Sequence, residues 1–346
     1  MVLNEMMCIH IGGMSGVVEA RQRAIRVCET HMSGAALSGK ISIIVTELAT
    51  NIVKHAGKGD LLIRTCNETE VCAIECLALD RGPGIRNIGM YLKDVNPAGA
   101  GPENGIRTVR SLSSVFDVYT RPGKGTAVLA RIEKERPAQV SDPQHPDSPV
   151  RYEIGVVCLP LEPDTPCGDG WDVIRLPGRT VILVVDGLGH GHEAAKVQEE
   201  AIRCLRKNTA GEPAEILWSL HAALRSTRGG VAAVAVIDDG KGRVTYAGAG
   251  NISGRVITGS DTHKMVSLSG TVGYEIRKIQ EFSHSFEAGA LLVMYSDGLF
   301  MHWDMENYPG LRQKHPSLIA GVLYRDHTRG MDDVTVLVVK PTGVKT

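Results

Sequence analysis

The chain has 346 residues, a formal net charge of -1, 43% hydrophobic and 22% charged residues, which suits about two ordinary domains and not a disordered chain. So small a net charge gives no global basic field to attract nucleic acid or an anionic membrane, and 4% aromatic residues leave little for base-stacking platforms. The start MVLNEMMCIHIGG lacks the layout of a signal peptide, and no apolar run approaches the about 20 residues of a membrane helix. The expectation is a cytoplasmic protein with no nucleic-acid and no membrane partner.

In chain order, residues 17–31 and 40–55 carry helical periodicity. Residues 61–65 and 71–79 read as strands, and 104–114 as a helix. VFDVYT and TAVLARIE then form a strand pair joined by RPGKG. Helices packed on one face of a sheet follow from this order. The eight cysteines form no CxxC pair, which speaks against a zinc site. Cys72 and Cys76, at strand spacing in VCAIECLAL, read as buried apolar thiols.

The second helix, ISIIVTELATNIVKHAG, places Glu47, Asn51 and His55 at i, i+4 and i+8, on one face. Ile44, Leu48 and Ile52 line another face. Alone, the polar stripe fits a solvated helix surface. Asp80 then ends a strand and opens DRGPGI, a tight turn with Gly82 and Gly84. GAGPENGIRTVRSL is a glycine-bearing loop running into a helix, whose first N–H groups can hold phosphate. RPGKGT puts Thr126 at a strand start; it lacks Walker A spacing and lies between two strands.

Together these segments resemble the Bergerat-fold (GHKL) ATPases, and within them the small anti-sigma or switch serine kinases of the RsbT type, over nearly all of residues 1–134. The resemblance implies that Asn51 binds the Mg2+ that bridges the ATP phosphates. It makes Asp80 the acceptor for the adenine amino group, Gly82 and Gly84 the shape of that pocket, and Thr126 its neighbour. Gly101 and Gly105 would belong to the phosphate lid. Glu47 would be the catalytic base that takes the proton from a substrate serine, with His55 as support. The lid departs from the family at Pro102 and Glu103, where glycine is usual and where a negative charge beside phosphates is unhelpful. That favours ATP binding over fast turnover, and it leaves open an ATP-binding sensor or docking domain.

From Glu133 to Pro149 the chain reads EKERPAQVSDPQHPDSP, a linker by composition. The expected division is a first domain at 1–134, a linker at 135–150 and a second domain at 151–346.

In the second half, TVILVVDG ends a buried strand at Asp186 and Gly187, and ALLVMYSDG does the same at Asp297. MDDVTVLVV opens a strand with Asp332 and Asp333, and Asp169 lies in PCGDGWDVIRL. In antiparallel strands one end lies beside the neighbour's start, so Asp186, Asp297 and Asp332 can converge on one sheet edge, with Asp169 approaching from an earlier hairpin. Such a group needs a hard cation to neutralise it. Asp238 and Asp239, in VAVIDDGKGRVTY, read as an ordinary hairpin turn.

The succession GDGWD, VVDGLGHGHEAA, AGAGN, YSDG and DDVT resembles the PP2C-type serine/threonine phosphatases, in the bacterial SpoIIE and RsbX branch. The fold class is then α+β: a Bergerat-type sandwich of helices on one mixed sheet, followed by a PP2C-like αββα sandwich of two antiparallel sheets. The resemblance implies two Mn2+ or Mg2+ ions, with Asp186 bridging them, Gly187 giving its carbonyl, and Asp297 and Asp332 as further ligands. Asp169 would be a ligand or hold metal-bound water, and the ions would acidify a water that attacks phosphoserine. His190 fits the motif as a supporting residue, and Asn251 lies near the site. The two resemblances meet in partner switching: a kinase and a phosphatase acting on a STAS-domain protein, and through it on a sigma or anti-sigma factor. A homodimer is also consistent with small switch kinases, and a non-catalytic module binding a sigma factor or STAS partner is the third reading.

Overall fold

The computed structural model describes residues 6–32, 34–68, 71–92, 104–134, 152–259 and 261–342. They fall into two units: Met1–Gln144 with Gln313–Arg325, and His145–Arg312 with Asp326–Thr346.

The first unit begins with strand β1 (Met6–Ile11), helix α1 (Met14–His31) and helix α2 (Ala35–Asn51). Strands β2 (Gly59–Glu68) and β3 (Val71–Asp80) form a hairpin. Short helix α3 (Ile88–Leu92) and helix α4 (Asn104–Leu112) lead to a second hairpin, β4 (Val115–Arg121) and β5 (Gly125–Lys134). The sheet order is β1-β2-β3-β5-β4. Every pairing is antiparallel, which corrects the expectation of a mixed sheet. Two hairpins fix their own strands, and the two-helix excursion from β1 brings β2 back in the opposite sense. Strand β1 was not expected from sequence: it is a sheet edge, and only Ile9 and Ile11 of it enter the core.

One face of this sheet carries Ile63, Ile74, Cys76, Ala78, Val128 and Ala130 against Ile41, Ile44, Val45, Leu48 and Ile52 of the second helix. The stretch Ala35–Ala56 is long and apolar enough to cross a membrane by length and composition; here its apolar stripe is part of the core. The α-helical spacing ends at Asn51 and continues as a π turn, Ile52–Ala56. That wider turn takes His55 off the line through Glu47 and Asn51, where regular spacing had placed it.

The second unit is a two-sheet sandwich. Its strands are β6 (Tyr152–Leu159), β7 (Asp169–Leu176), β8 (Arg179–Gly187), β9 (Gly230–Asp238), β10 (Arg243–Ala249), β11 (Ser253–Thr258), β12 (Asp261–Met265), the two-residue β13 (Gly270–Thr271) and β14 (Glu275–Ile276), β15 (Glu281–Ser285), β16 (Leu291–Tyr295) and β17 (Val334–Pro341). Helices α5 (His192–Lys207) and α6 (Pro213–Ala223) follow β8, and α7 (Pro316–His327) precedes β17. The sheets are ordered β15-β10-β9-β8-β7 and β12-β11-β16-β17-β6, all antiparallel. Strand β8 shows why the apolar run RTVILVVDG lacks alternation. Ile182 and Val184 face the other sheet, while Val181, Leu183 and Val185 meet α5 and α6, so both faces are buried.

Residues 313–325, which include most of α7, group with the first unit and not with the second domain in which sequence places them. The reason is a row of charges on the second face of the first sheet. Register aligns Arg64, Glu75 and Arg131 across β2, β3 and β5. Glu75 is 1% exposed and receives both guanidiniums, at 2.9 and 2.7 Å. Ser317 Oγ donates to the same carboxylate at 2.9 Å. Asp117 accepts from Lys314 Nζ at 3.0 Å and from the His315 amide at 2.8 Å, and Gly321 lies against Leu77 and Leu79.

Burial pushes the Glu75 carboxyl up, but Arg64, Arg131 and His315 outweigh it and bring it down to about 2. Glu75→Ala leaves two buried guanidiniums unpaired and should cost about 3–5 kcal/mol, read from urea unfolding of the whole chain. Burial, aided by Arg131 and Arg64, pulls the His315 imidazole down to about 4 against Glu75 and Asp117. His315 is therefore neutral in the fold, and its Nδ1 accepts from the Ser317 amide at 3.2 Å. An unfolded histidine titrates at about 6.5, so this contribution is complete above pH 6.5 and is lost as pH falls through 4. Melting temperature should fall across that window, and His315→Asn should flatten the fall.

Candidate functional site

In the second unit, sheet pairing builds the carboxylate group from two directions. Asp169 opens β7 and Asp186 closes β8, and the two are register partners. Asp297 follows β16, and Asp332 and Asp333 precede β17, the neighbouring strand of the other sheet. The expectation of one sheet edge is thus corrected: the aspartates come from the ends of two facing sheets. Ser296 joins the sheets, donating to Asp169 Oδ2 at 2.6 Å while its oxygen accepts from the Thr335 amide at 2.9 Å.

The electrostatics follow from crowding in a dry place. Burial raises the Asp186 carboxyl to about 9, with repulsion from Asp169, Asp297, Asp332 and Asp333 adding to it. Burial likewise raises Asp169 to about 7, and Asp333 and Asp332 push the same way. Asp297 is raised by burial and by Asp332, with Arg329 opposing. Asp169 Oδ1 is buried without a hydrogen-bond partner. A buried orphan acceptor amid four other carboxylates fits a cation. No three His, Cys, Asp or Glu side chains among the described residues stand close enough to enclose an ion unaided.

The aspartates are not equivalent. Asp333 is spent on structure: its Oδ1 accepts from the Leu161 amide at 2.7 Å and its Oδ2 from the Gly168 amide at 2.5 Å. Asp332 is exposed. Asn251 Nδ2 donates to Asp297 Oδ2 at 2.8 Å, which gives this residue the duty that sequence left unclear. Sequence reading missed Ser296 and the bracing role of Asp333; the serine before Asp297 in YSDG was the available signal. His190 and His192 are exposed at the turn into α5. Asp238 and Asp239 behave as turn residues, Asp238 bonding the Lys241 amide and Asp239 the Tyr152 hydroxyl.

In the first unit, two groups of expected residues come together. A Cβ on Gly105 would stand 2.5 Å from Glu47 Oε2 and 3.5 Å from Asn51 Nδ2. The start of α4 therefore closes directly over the carboxylate and amide of α2. Asp80 Oδ1 accepts from the amides of Gly82 at 2.8 Å and Thr126 at 3.1 Å. Thr126 Oγ1 is 3.0 Å from Thr120 Oγ1. Gly84 has φ +69°, and a Cβ there would lie 2.0 Å from the Arg121 carbonyl oxygen, so only glycine lets these turns cross. A Cβ on Gly82 would lie 2.7 Å from that of Ala56, so the two groups share one end of the second helix. Burial raises the Asp80 carboxyl above its usual range against the Gly82 and Thr126 amides. Gly101, Pro102 and Glu103 lie outside the described residues.

Asn251→Ala frees Asp297 to turn and should weaken Mn2+ binding about tenfold, the lower end for an outer partner of a metal ligand. Calorimetric titration with manganese measures it, with Asp239→Ala, at the turn, as the unchanged control.

Comparison with known proteins finds relatives of two kinds. The profile of the family described as Stage II sporulation protein E (SpoIIE) matches residues 177–342. The serine/threonine-protein kinase RsbT of Bacillus subtilis (strain 168) is 29% identical over 128 residues, 37% of this chain and 96% of that protein. The phosphoserine phosphatase RsbX of the same organism is 27% identical over 180 residues, 49% of this chain and 85% of that protein. A solved structure from work on the bacterial stressosome, described as a modular system adapted to control secondary messenger signalling, superposes with a TM-score of 0.51 at 28% identity. It covers 55% of this chain and all (100%) of that one.

Proposed function

We propose that this chain, an RsbT-like kinase-related region joined to a SpoIIE-type PP2C phosphatase domain, is a cytoplasmic enzyme of partner switching that both adds and removes one phosphate. The substrate is a serine or threonine of a STAS-domain protein. What supports the reading is the presence in one chain of two residue groups suited to phosphate chemistry: Glu47 beside Asn51 under the α4 start, and the Asp169, Asp186, Asp297 and Asp332 group.

In the kinase half, Asp80 receives the adenine amino group, with Gly82, Gly84 and Thr126 around it. Asn51 holds Mg2+ on the ATP phosphates, while Gly105 and Gly101 contribute to the lid. Glu47 takes the serine proton as the oxygen attacks the γ-phosphorus and ADP leaves. In the phosphatase half, Asp186, Asp297 and Asp332, with the Gly187 carbonyl and Asp169, hold two Mn2+ or Mg2+ ions. Bound there, the ions supply an acidified water as nucleophile. Asp186 lies between the two sheets' carboxylates, Asn251 fixes Asp297, and Ser296 fixes Asp169. Removing a phosphate takes about two negative charges from the partner's surface, enough to change what that surface binds.

The experiment is transfer of labelled γ-phosphate from ATP to a candidate STAS protein by wild type, Glu47→Ala and Asp186→Ala. Asp186→Ala should accumulate label that wild type removes, and Glu47→Ala should give at most about one hundredth of that label, the scale of a lost general base. If no variant labels the protein while wild type strips a pre-phosphorylated one, the first unit is an ATP-binding sensor, the reading that Pro102 and Glu103 favour.

A further inference from the structure

We infer that Arg329 and Arg228 grip the substrate phosphate at the phosphatase site. The inference rests on the metal-dependent reading above. Its starting point is charge. Carboxylates that coordinate metal are ionised, so Asp169, Asp186, Asp297 and Asp332, the ligands on that reading, present four negative charges around the ions. Two divalent cations supply four positive ones. A phosphoserine arrives with about -1.5 to -2 more. The metals alone leave no positive surplus for it, so cationic side chains at the mouth have to supply the attraction.

Two arginines stand there: Arg329 on the loop that carries Asp332, and Arg228 on the turn before β9, beside the loop that follows Asp186. The Arg329 amide donates to the Gly298 carbonyl at 2.9 Å, and its Nη1 donates to the Asp297 carbonyl at 3.0 Å. The guanidinium lies 5.8 Å from the Phe300 ring centroid. Arg228 mirrors it on the other sheet. Its Nη1 donates at 3.2 Å to the carbonyl of Leu188, just past Asp186 and Gly187. The Leu188 amide in turn donates to the Gly229 carbonyl at 3.1 Å. Both arginines are exposed, and neither is in an ion pair among the described residues. Lys196, on the adjoining helix, is held by Glu193.

A guanidinium carries five N–H donors in a planar fork suited to phosphate. One Nη1 bond to a carbonyl orients each fork and leaves most of its donors for the ligand. An arginine that merely braced its loop would use the same single bond but would have no effect on substrate.

The test uses the full chain with Mn2+, a synthetic phosphoserine peptide, and inorganic phosphate as the competing product. Arg329→Gln should raise KM about tenfold with kcat within about threefold, the mark of lost ground-state binding. Inhibition by inorganic phosphate should weaken in parallel. Arg329→Lys should recover part of both, since charge returns without the fork. Arg228→Gln should act in the same direction, and the double variant should exceed either single one. Manganese affinity by calorimetry should move far less than KM in all four. Unchanged KM and phosphate inhibition in the double variant would overturn the inference while leaving the phosphatase reading intact. So would a loss of manganese affinity that accounts for the kinetic change, because the arginines would then be loop braces. Absence of metal-dependent turnover in the wild type would overturn the phosphatase reading and the inference together.

Discussion

Five aspartates held within repulsive reach at the end of one sandwich set the terms for the second unit. Like charges in a place with little water oppose their own ionisation, and a chain free to relax would separate them. The sandwich prevents it by strand pairing, which seats Asp169 opposite Asp186 and brings Asp297 and Asp332 to adjacent strand ends. Neutral donors then fix individual oxygens: Ser296 on Asp169, Asn251 on Asp297, and the Leu161 and Gly168 amides on Asp333. The strain is confined to the oxygen atoms that remain, and it is the oxygen on Asp169 without a partner that most plainly calls for an ion.

The first unit meets a buried carboxylate with the opposite solution. Glu75 has its countercharges built in, from Arg64 and Arg131, and a hydroxyl from Ser317 completes its shell. It is ionised, satisfied and structural. Comparison of Glu75 with Asp186 separates a fold-holding carboxylate from a chemical one better than burial does. Glu75 is buried and Asp186 half-buried, and one is depressed to about 2 while the other is raised to about 9. The difference lies in whether the cation is a neighbouring side chain or has to come from solution.

The same distinction explains what sequence disclosed. The aspartates at strand ends, the glycine turns around Asp80 and the Glu47–Asn51 helix face were legible, because each rests on local spacing that folding preserves. Strand β1 was hidden, since its buried residues Met6, Ile9 and Ile11 do not follow a strict alternation. The place of Asp186 on a separate sheet from Asp297 was also hidden, because strand adjacency is set by contacts distant in sequence. So was the attachment of residues 313–325 to the first unit. Their partners, Glu75 and Asp117, read in sequence as ordinary strand charges, and nothing local shows that β2, β3 and β5 align three charges in a row. His55 illustrates a subtler loss: one π turn is enough to move a residue off a face that regular helical spacing assigns to it.

The two sites also ask for metal differently. Asn51 is a neutral amide, and Glu47 is the carboxylate beside it. Little in that pocket concentrates a free cation, so on the proposed reading magnesium reaches it already carried by the phosphates of ATP. The aspartate group attracts a free ion by charge alone. On that reading, ATP in excess of total magnesium would take metal from the aspartate group while still supplying the Asn51 pocket. Magnesium in excess of ATP serves both. Were both proposed activities present, the ratio of free to nucleotide-bound metal would weight one against the other through the difference between a neutral and an anionic ligand set.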